Sequence, residues 1–179
     1  MSVAVYVGAN LGHGLDLFLS NFDCVIAFEP DPETYAQLHK NYAHHQNLIL
    51  INAACSDKQG LCDFYVTPNR VSSSLKPVNM DNQASTGGHS GAQAPMKKIV
   101  VQTLNLYDFL QARQIDFVDF LLTDCQGSDL SILKTLKPML DAKKIAKIFC
   151  ETHGNGVTLY QGLDNQFDGF KKILQPNYK

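Results

Sequence analysis

The sequence predicts an α/β fold, a doubly wound and mostly parallel sheet, and three observations carry that expectation. Near-continuous apolar runs recur at residues 3–8, 24–29, 48–54, 117–123 and 145–150, as in strands covered on both faces. Helical patterns lie between them, at residues 15–22, 32–44, 129–140 and 160–174, and such alternation of strand and helix defines the class. The turn Gly8-Ala9-Asn10-Leu11-Gly12 follows the first run, and the acid Glu29 closes the second.

Taken in order, the first run turns sharply at Gly8 and Gly12, where glycine tolerates backbone angles other residues avoid and leaves room for a bound ligand. The second run ends in Glu29-Pro30-Asp31-Pro32; the prolines stop the strand and Asp31 starts the next helix. Residues 61–67 and 98–104 are shorter, rich in β-branched and aromatic side chains, and expected to add sheet beside the core. Between them, residues 69–96 contain Ser72-Ser73-Ser74 and Gly87-Gly88 but no aromatic, the composition of a mobile loop that is either a lid or unstructured. Within it, Gly88-His89-Ser90-Gly91 lacks the Gly-x-Ser-x-Gly spacing of a nucleophile elbow, which argues against a hydrolase. The chain, 179 residues long, is expected to form a single domain, residues 1–179. It stops just after its last helical pattern, so the sheet is expected to lack its terminal strands, as in a domain cut from a longer protein, a truncated chain or an unusually small member of its class.

A formal net charge of -2 and no basic run longer than the pairs Lys97-Lys98, Lys143-Lys144 and Lys171-Lys172 exclude a nucleic-acid footprint. No apolar run approaches the roughly 20 residues that span a bilayer and no signal region opens the chain, so a soluble cytoplasmic protein is expected. The five cysteines are odd in number and widely spaced, which predicts reduced thiols. No Cys/His spacing matches a zinc site and no metal is expected. Nothing in the sequence sets the oligomeric state.

A glycine turn followed about twenty residues later by a strand-ending acid is a nucleotide-cofactor pattern, the carboxylate accepting hydrogen bonds from two ribose hydroxyls. The spacing suits a dehydrogenase and a methyltransferase alike. The turn lacks the Gly-x-Gly-x-x-Gly arrangement that seats a pyrophosphate, so a ligand without phosphates is favoured. Asn10 can supply an amide to it.

Five pieces in order then resemble the FkbM-type methyltransferases: Val7-Gly8-Ala9-Asn10-Leu11-Gly12; Ala27-Phe28-Glu29-Pro30-Asp31-Pro32; Leu38-His39-Lys40-Asn41; Asn52-Ala53-Ala54-Cys55-Ser56-Asp57; and Asp124-Cys125-Gln126-Gly127-Ser128-Asp129-Leu130 with Leu133. The resemblance covers most of the chain. It implies a Rossmann-like class I methyltransferase fold and S-adenosylmethionine as cofactor, with the turn from Gly8 through Asn10 to Gly12 on its methionine half. Glu29, with Pro30 beside it, is implied at the ribose, and Asn52, Ala53 and Ala54 near the adenine. Asp124 closes its strand at the same sheet edge, as a general base for the acceptor hydroxyl, a substrate positioner, a metal ligand or simply an acid before a helix. Glu151 and His153 end the next run beside it; His153 is a second candidate base or a structural histidine, and the three together could hold a divalent ion. The family usually has an acid at the position of Tyr6, a lysine at Leu122, a glutamate at Gln126 and often an acid at Tyr107, so this chain departs from the pattern there. The implied function is O-methylation of a sugar or glycan hydroxyl, on a small-molecule or glycan acceptor. The rival is a non-catalytic nucleotide-binding or interaction module of the same fold.

Overall fold

The computed structural model describes residues 1–79, 96–175, 177 and 178. Its elements, in chain order, are β1 (Val3–Val7), α1 (Leu15–Asn21), β2 (Cys24–Phe28), α2 (Pro32–Tyr42), β3 (Leu48–Ile51), β4 (Ala54–Cys55), β5 (Gly60–Val66), β6 (Lys97–Leu104), α3 (Leu106–Ala112), β7 (Phe120–Thr123), α4 (Asp129–Thr135), α5 (Lys137–Asp141), β8 (Ile148–Cys150) and α6 (Phe167–Leu174).

Five strands form an all-parallel sheet in the order β3-β2-β1-β7-β8, the doubly wound arrangement expected. β1 is buried along its whole length because helices cover both faces of the sheet. Successive side chains of a strand point to opposite faces, and the packing follows that alternation. Val3, Val5 and Val7, with Ile26 and Phe28, meet Leu106 and Leu110 of α3 and Leu130 and Leu133 of α4. Ala4 and Tyr6, with Val25 and Ala27, meet Leu15 of α1 and Leu38 of α2.

From β1 the chain moves outward through β2 and β3, then returns to lay β7 on β1's other side. This reversal makes the β1/β7 crevice a topological switch point, where open α/β sheets bind ligands beyond the strands' carboxyl ends. Val7 is level with Phe28 in β2 and with Thr123 in β7, so Gly8, Glu29 and Asp124 emerge side by side at that edge.

Four expectations are corrected. The run 48–54 is two strands: β3 joins the main sheet, whereas β4 pairs with β6 in a second sheet of order β4-β6-β5. The 129–140 helix breaks at Leu136 into α4 and α5, because Pro138 lacks an N–H and its ring crowds the carbonyl of the preceding turn. Residues 160–166 are not helical; Tyr160 forms an antiparallel bridge to Val78, Gly162 adopts φ 68°, and the helix is confined to α6. A helix not expected, α3, is capped by Asn105, whose side chain accepts from the Asp108 N–H at 3.2 Å.

Of the expected loop 69–96, residues 80–95, and with them Gly88-His89-Ser90-Gly91, lie outside the described residues. The part before them is tied down: Ser74 and Tyr65 exchange backbone hydrogen bonds, and Val78 bridges Tyr160. All five cysteines are free thiols. Among the described residues no helix is long and apolar enough to cross a membrane.

Candidate functional site

The site is built where β1 and β7 end. Gly8 takes φ 84°, and a Cβ there would sit 2.0 Å from the backbone oxygen of Asp124, so only glycine lets the turn leave β1 with β7 this close. The turn satisfies its own donors. Gly8 and Ala9 N–H both donate to the Phe28 carbonyl, at 3.0 and 2.9 Å, Leu11 N–H donates to Asn10 Oδ1 at 2.8 Å, and Gly12 N–H to the Ala9 carbonyl at 2.8 Å. Asn10, at φ 48°, donates its N–H to Glu29 Oε2 at 2.9 Å.

Glu29 is 5% exposed, and its other oxygen, Oε1, accepts from Asp31 N–H at 2.8 Å. Burial pushes its pKa up to about 7, the two N–H donors opposing that rise. Each oxygen has accepted one donor and retains a further lone pair.

An open cavity of about 300 Å³ runs along this edge. Gly8, Asn10, Glu29, Pro30, Ala53, Ala54, Tyr6, Asp124 and Gln126 line it, with Arg70, Val71 and Leu75 from the segment after β5. Two of the expected cofactor-binding residues stand off the cavity wall. Gly12 packs the turn onto α2, since a Cβ would meet the Tyr42 ring at 2.6 Å and Leu38 at 2.9 Å. Asn52 donates its amide to the carbonyls of Glu29 and Pro30, at 2.8 and 3.2 Å, holding the strand end in place. The Asn10 side chain reaches the Arg70 carbonyl at 3.4 Å. Tyr6 donates its hydroxyl to the His13 carbonyl at 3.3 Å, and burial pushes its pKa up to about 12.

Asp124 is exposed at the cavity mouth; the surrounding protein still raises its pKa, against the lowering effect of the Gln126 amide, which donates to Asp124 Oδ1 at 2.7 Å. Glu151 and His153 lie behind it, off this cavity. Burial first, then the charges of Asp129 and Asp124, pushes Glu151 up to about 8, and its Oε2 is buried without a partner. His153 is 6% exposed with neither ring nitrogen partnered; burial lowers its pKa, keeping the imidazole neutral. Its ring stacks against Tyr160 with centroids 6.1 Å apart. Among the described residues no group of three His, Cys, Asp or Glu side chains could hold a metal ion, so Asp124, Glu151 and His153 do not form the divalent-ion site considered above.

Sequence reasoning missed three residues here, Arg70, Tyr160 and Asn165, and read Ser74 only as part of a serine-rich loop. Arg70, at φ 58°, pairs its guanidinium with Asp31 and Glu33 and so ties its segment to α2. Tyr160 donates to Gln126 Oε1 at 2.5 Å and Ser74 to the Gln126 carbonyl at 2.7 Å. Asn165, 1% exposed, donates to Asp129 Oδ2 at 3.2 Å and the Glu151 carbonyl at 2.9 Å, and accepts from Leu130 N–H at 2.9 Å. No periodicity or motif marks these contacts, which join distant parts of the chain. Asn165→Ala is expected to cost about 2 kcal/mol, because it strands a buried N–H, a buried carbonyl and part of the Asp129 carboxylate; urea unfolding measures it, and a loss below about 0.5 kcal/mol would contradict the hub role.

A parallel sheet with a glycine turn after β1 and acids after β2 and β7, all at the switch point, defines an open α/β domain of the kind that binds its ligand at that crevice. The chain belongs to the FkbM methyltransferase domain family, whose model matches residues 7–175. It is similar to the 2-O-methyltransferase NoeI of Sinorhizobium fredii (strain NBRC 101917 / NGR234), with 24% identity over 151 residues, 77% of this chain and 56% of that protein. The chain thus spans little more than half the length of that curated relative. No solved structure matches it.

Proposed function

We propose that residues 1–179 form one methyltransferase domain that uses S-adenosylmethionine to methylate a hydroxyl of a sugar or glycan. Family membership and the relative named a 2-O-methyltransferase support methyl transfer to oxygen. The observation that carries the choice of cofactor is the saturated turn: every N–H from Gly8 to Gly12 already has a partner within the protein. It offers no free donors to a pyrophosphate, which disfavours a nicotinamide dinucleotide. The cavity instead suits a cationic, phosphate-free nucleoside. Glu29 keeps one lone pair on each oxygen for a pair of ribose hydroxyls, and among the lining residues Ala53, Ala54 and Phe64 offer apolar surface to a flat base and His13 a ring nitrogen to a carboxylate.

When bound, S-adenosylmethionine supplies an electrophilic methyl group. The residues at the edge would hold donor and acceptor in line, and Asp124 would take the proton from the acceptor's hydroxyl. Its raised pKa makes it a better base than an ordinary aspartate. Glu151, holding its proton, and His153, neutral, act from behind as uncharged groups, His153 through the ring it stacks against Tyr160.

Calorimetric titration with S-adenosylmethionine, its demethylated product and NAD tests the reading. Binding of the first two and not of NAD is expected, with affinity weakened about tenfold or more in Glu29→Ala through loss of hydrogen bonds to a charged acceptor. A folded protein that binds neither methionine cofactor overturns it. A second reading, a binding module without catalysis, is favoured by Tyr6, whose phenol replaces the family's acid beside the cavity; cofactor binding with no turnover across a panel of neutral sugars would select it.

A further inference from the structure

Both ends of the Gln126 amide are engaged, and the chemistry fixes which end is which. A carboxylate accepts only, so Nε2 faces Asp124, at 2.7 Å, and Oε1 is left to take the Tyr160 hydroxyl, at 2.5 Å. Burial raises the Tyr160 pKa, which keeps that hydroxyl a donor. Gln126 itself sits at φ 52° and the next residue, Gly127, at φ 98°. A Cβ on Gly127 would meet the Tyr160 ring at 2.8 Å, so the ring lies directly on the backbone that presents Gln126.

The same unit is gripped by the segment that follows β5. Ser74 Oγ donates to the Gln126 carbonyl at 2.7 Å. On either side of Tyr160, Gln161 N–H donates to the Pro77 carbonyl at 2.9 Å and the Leu159 carbonyl accepts from Asn79 N–H at 2.7 Å. Residues 74–79 therefore hold Gln126 and Tyr160 at once, while Val71, Ser73 and Leu75 of the same segment line the cavity.

We propose that Gln126 and Tyr160 are positioning residues: the Tyr160 hydroxyl orients the Gln126 amide, and the amide holds the Asp124 carboxylate at the cavity mouth. Through Ser74 and the backbone pairs to Pro77 and Asn79, the seating of residues 74–79 against the cavity sets how that carboxylate meets an acceptor. That Asp124 faces an acceptor rests on the methyl-transfer reading; the hydrogen-bond coupling does not.

The test is a carbon-13 NMR titration of the Asp124 carboxyl in aspartate-labelled protein without cofactor, its signal assigned by Asp124→Asn. Gln126→Leu is expected to raise the Asp124 midpoint by about one pH unit, since a donor to the ionised form is lost. Tyr160→Phe and Ser74→Ala, which leave every atom of Asp124 and Gln126 in place, are expected to raise it by a smaller but measurable amount. A merely structural tyrosine would alter thermal stability and leave the Asp124 midpoint unmoved. If Tyr160→Phe does not fold, Ser74→Ala decides. An unchanged midpoint in the folded variants overturns the proposal, whether or not S-adenosylmethionine binds; failed cofactor binding with a shifted midpoint overturns only the methyl-transfer reading.

Discussion

Gly8→Ala is expected to destabilise the protein by about 4 kcal/mol or more, an effect at the upper end of what single substitutions produce. Two costs add. At φ 84° an L side chain is strained by about 1–2 kcal/mol. The new methyl would also lie 2.0 Å from the Asp124 backbone oxygen, and that oxygen cannot retreat alone. Asp124 N–H donates to the Val7 carbonyl at 3.0 Å and Val7 is paired with Thr123, so relief requires prising β1 from β7 at the centre of the sheet. Gly14 supplies the control. It has φ 78° but nothing within 4 Å of its would-be Cβ, so Gly14→Ala should cost only the backbone strain, about 1–2 kcal/mol. Urea unfolding of both variants separates strain from close approach. Equal losses would show that the β1/β7 approach does not limit the residue at position 8. The same variant should abolish cofactor binding, because prising β1 from β7 moves the Gly8 turn away from Asp124 and spoils the crevice between them.

Which of these features could be seen in the sequence follows from how each is encoded. The five parallel strands were legible because a strand buried on both faces must be apolar throughout, and strand ends map directly onto one sheet edge. That alone puts Gly8, Asn10, Glu29 and Asp124 at one edge. The break between α4 and α5 was also legible, in Pro138, but the apolar spacing of residues 129–140 spoke for one helix. Residues 160–166 misled for a different reason. Tyr160, Leu163 and Phe167 recur at helical intervals, yet Tyr160 is held by a strand-like bridge to Val78 and a hydrogen bond to Gln126, contacts no local pattern encodes. The single run 48–54 hid a change of sheet at Asn52, whose amide caps the end of β2. Asn165 was invisible for the same reason as Tyr160: its partners come together only when α4, β8 and the segment before α6 have packed.

The second large effect is on stability as a function of pH. Three buried or part-buried carboxyls hold their protons to unusually high pH: Glu29 to about 7 and Glu151 to about 8 against an ordinary 4.5, and Asp129 to about 6 against 3.8. Burial is the leading cause in each case. Around Glu29 the charges of Asp31 and Arg70 oppose one another, around Glu151 those of Asp129 and Asp124 add, and around Asp129 the Cys125 N–H opposes the rise. Between the unfolded and folded pKa values the native protein binds protons that the unfolded chain has released, so by linkage stability falls as pH rises through that window. His153 works the other way. Its folded pKa is lowered, so it costs stability as pH falls below its ordinary value, a smaller effect from one group. With about 1.4 kcal/mol for each pH unit of displacement, and a generous discount for relaxation around the charges, the protein should lose on the order of 4 kcal/mol between pH 5 and pH 8. Glu151→Gln removes one contributor at little structural cost, because Oε2 has no partner to lose; it should raise stability at pH 8 and flatten the decline above pH 6. Unfolding midpoints measured across that range, flat or rising in the wild type, would sink the burial account. Saturating S-adenosylmethionine adds a second reading of the same curve. On the proposed seating, ribose hydroxyls donating to Glu29 would favour its ionised form, so the bound protein should decline less steeply with pH than the free one, and Glu29→Ala should erase that difference.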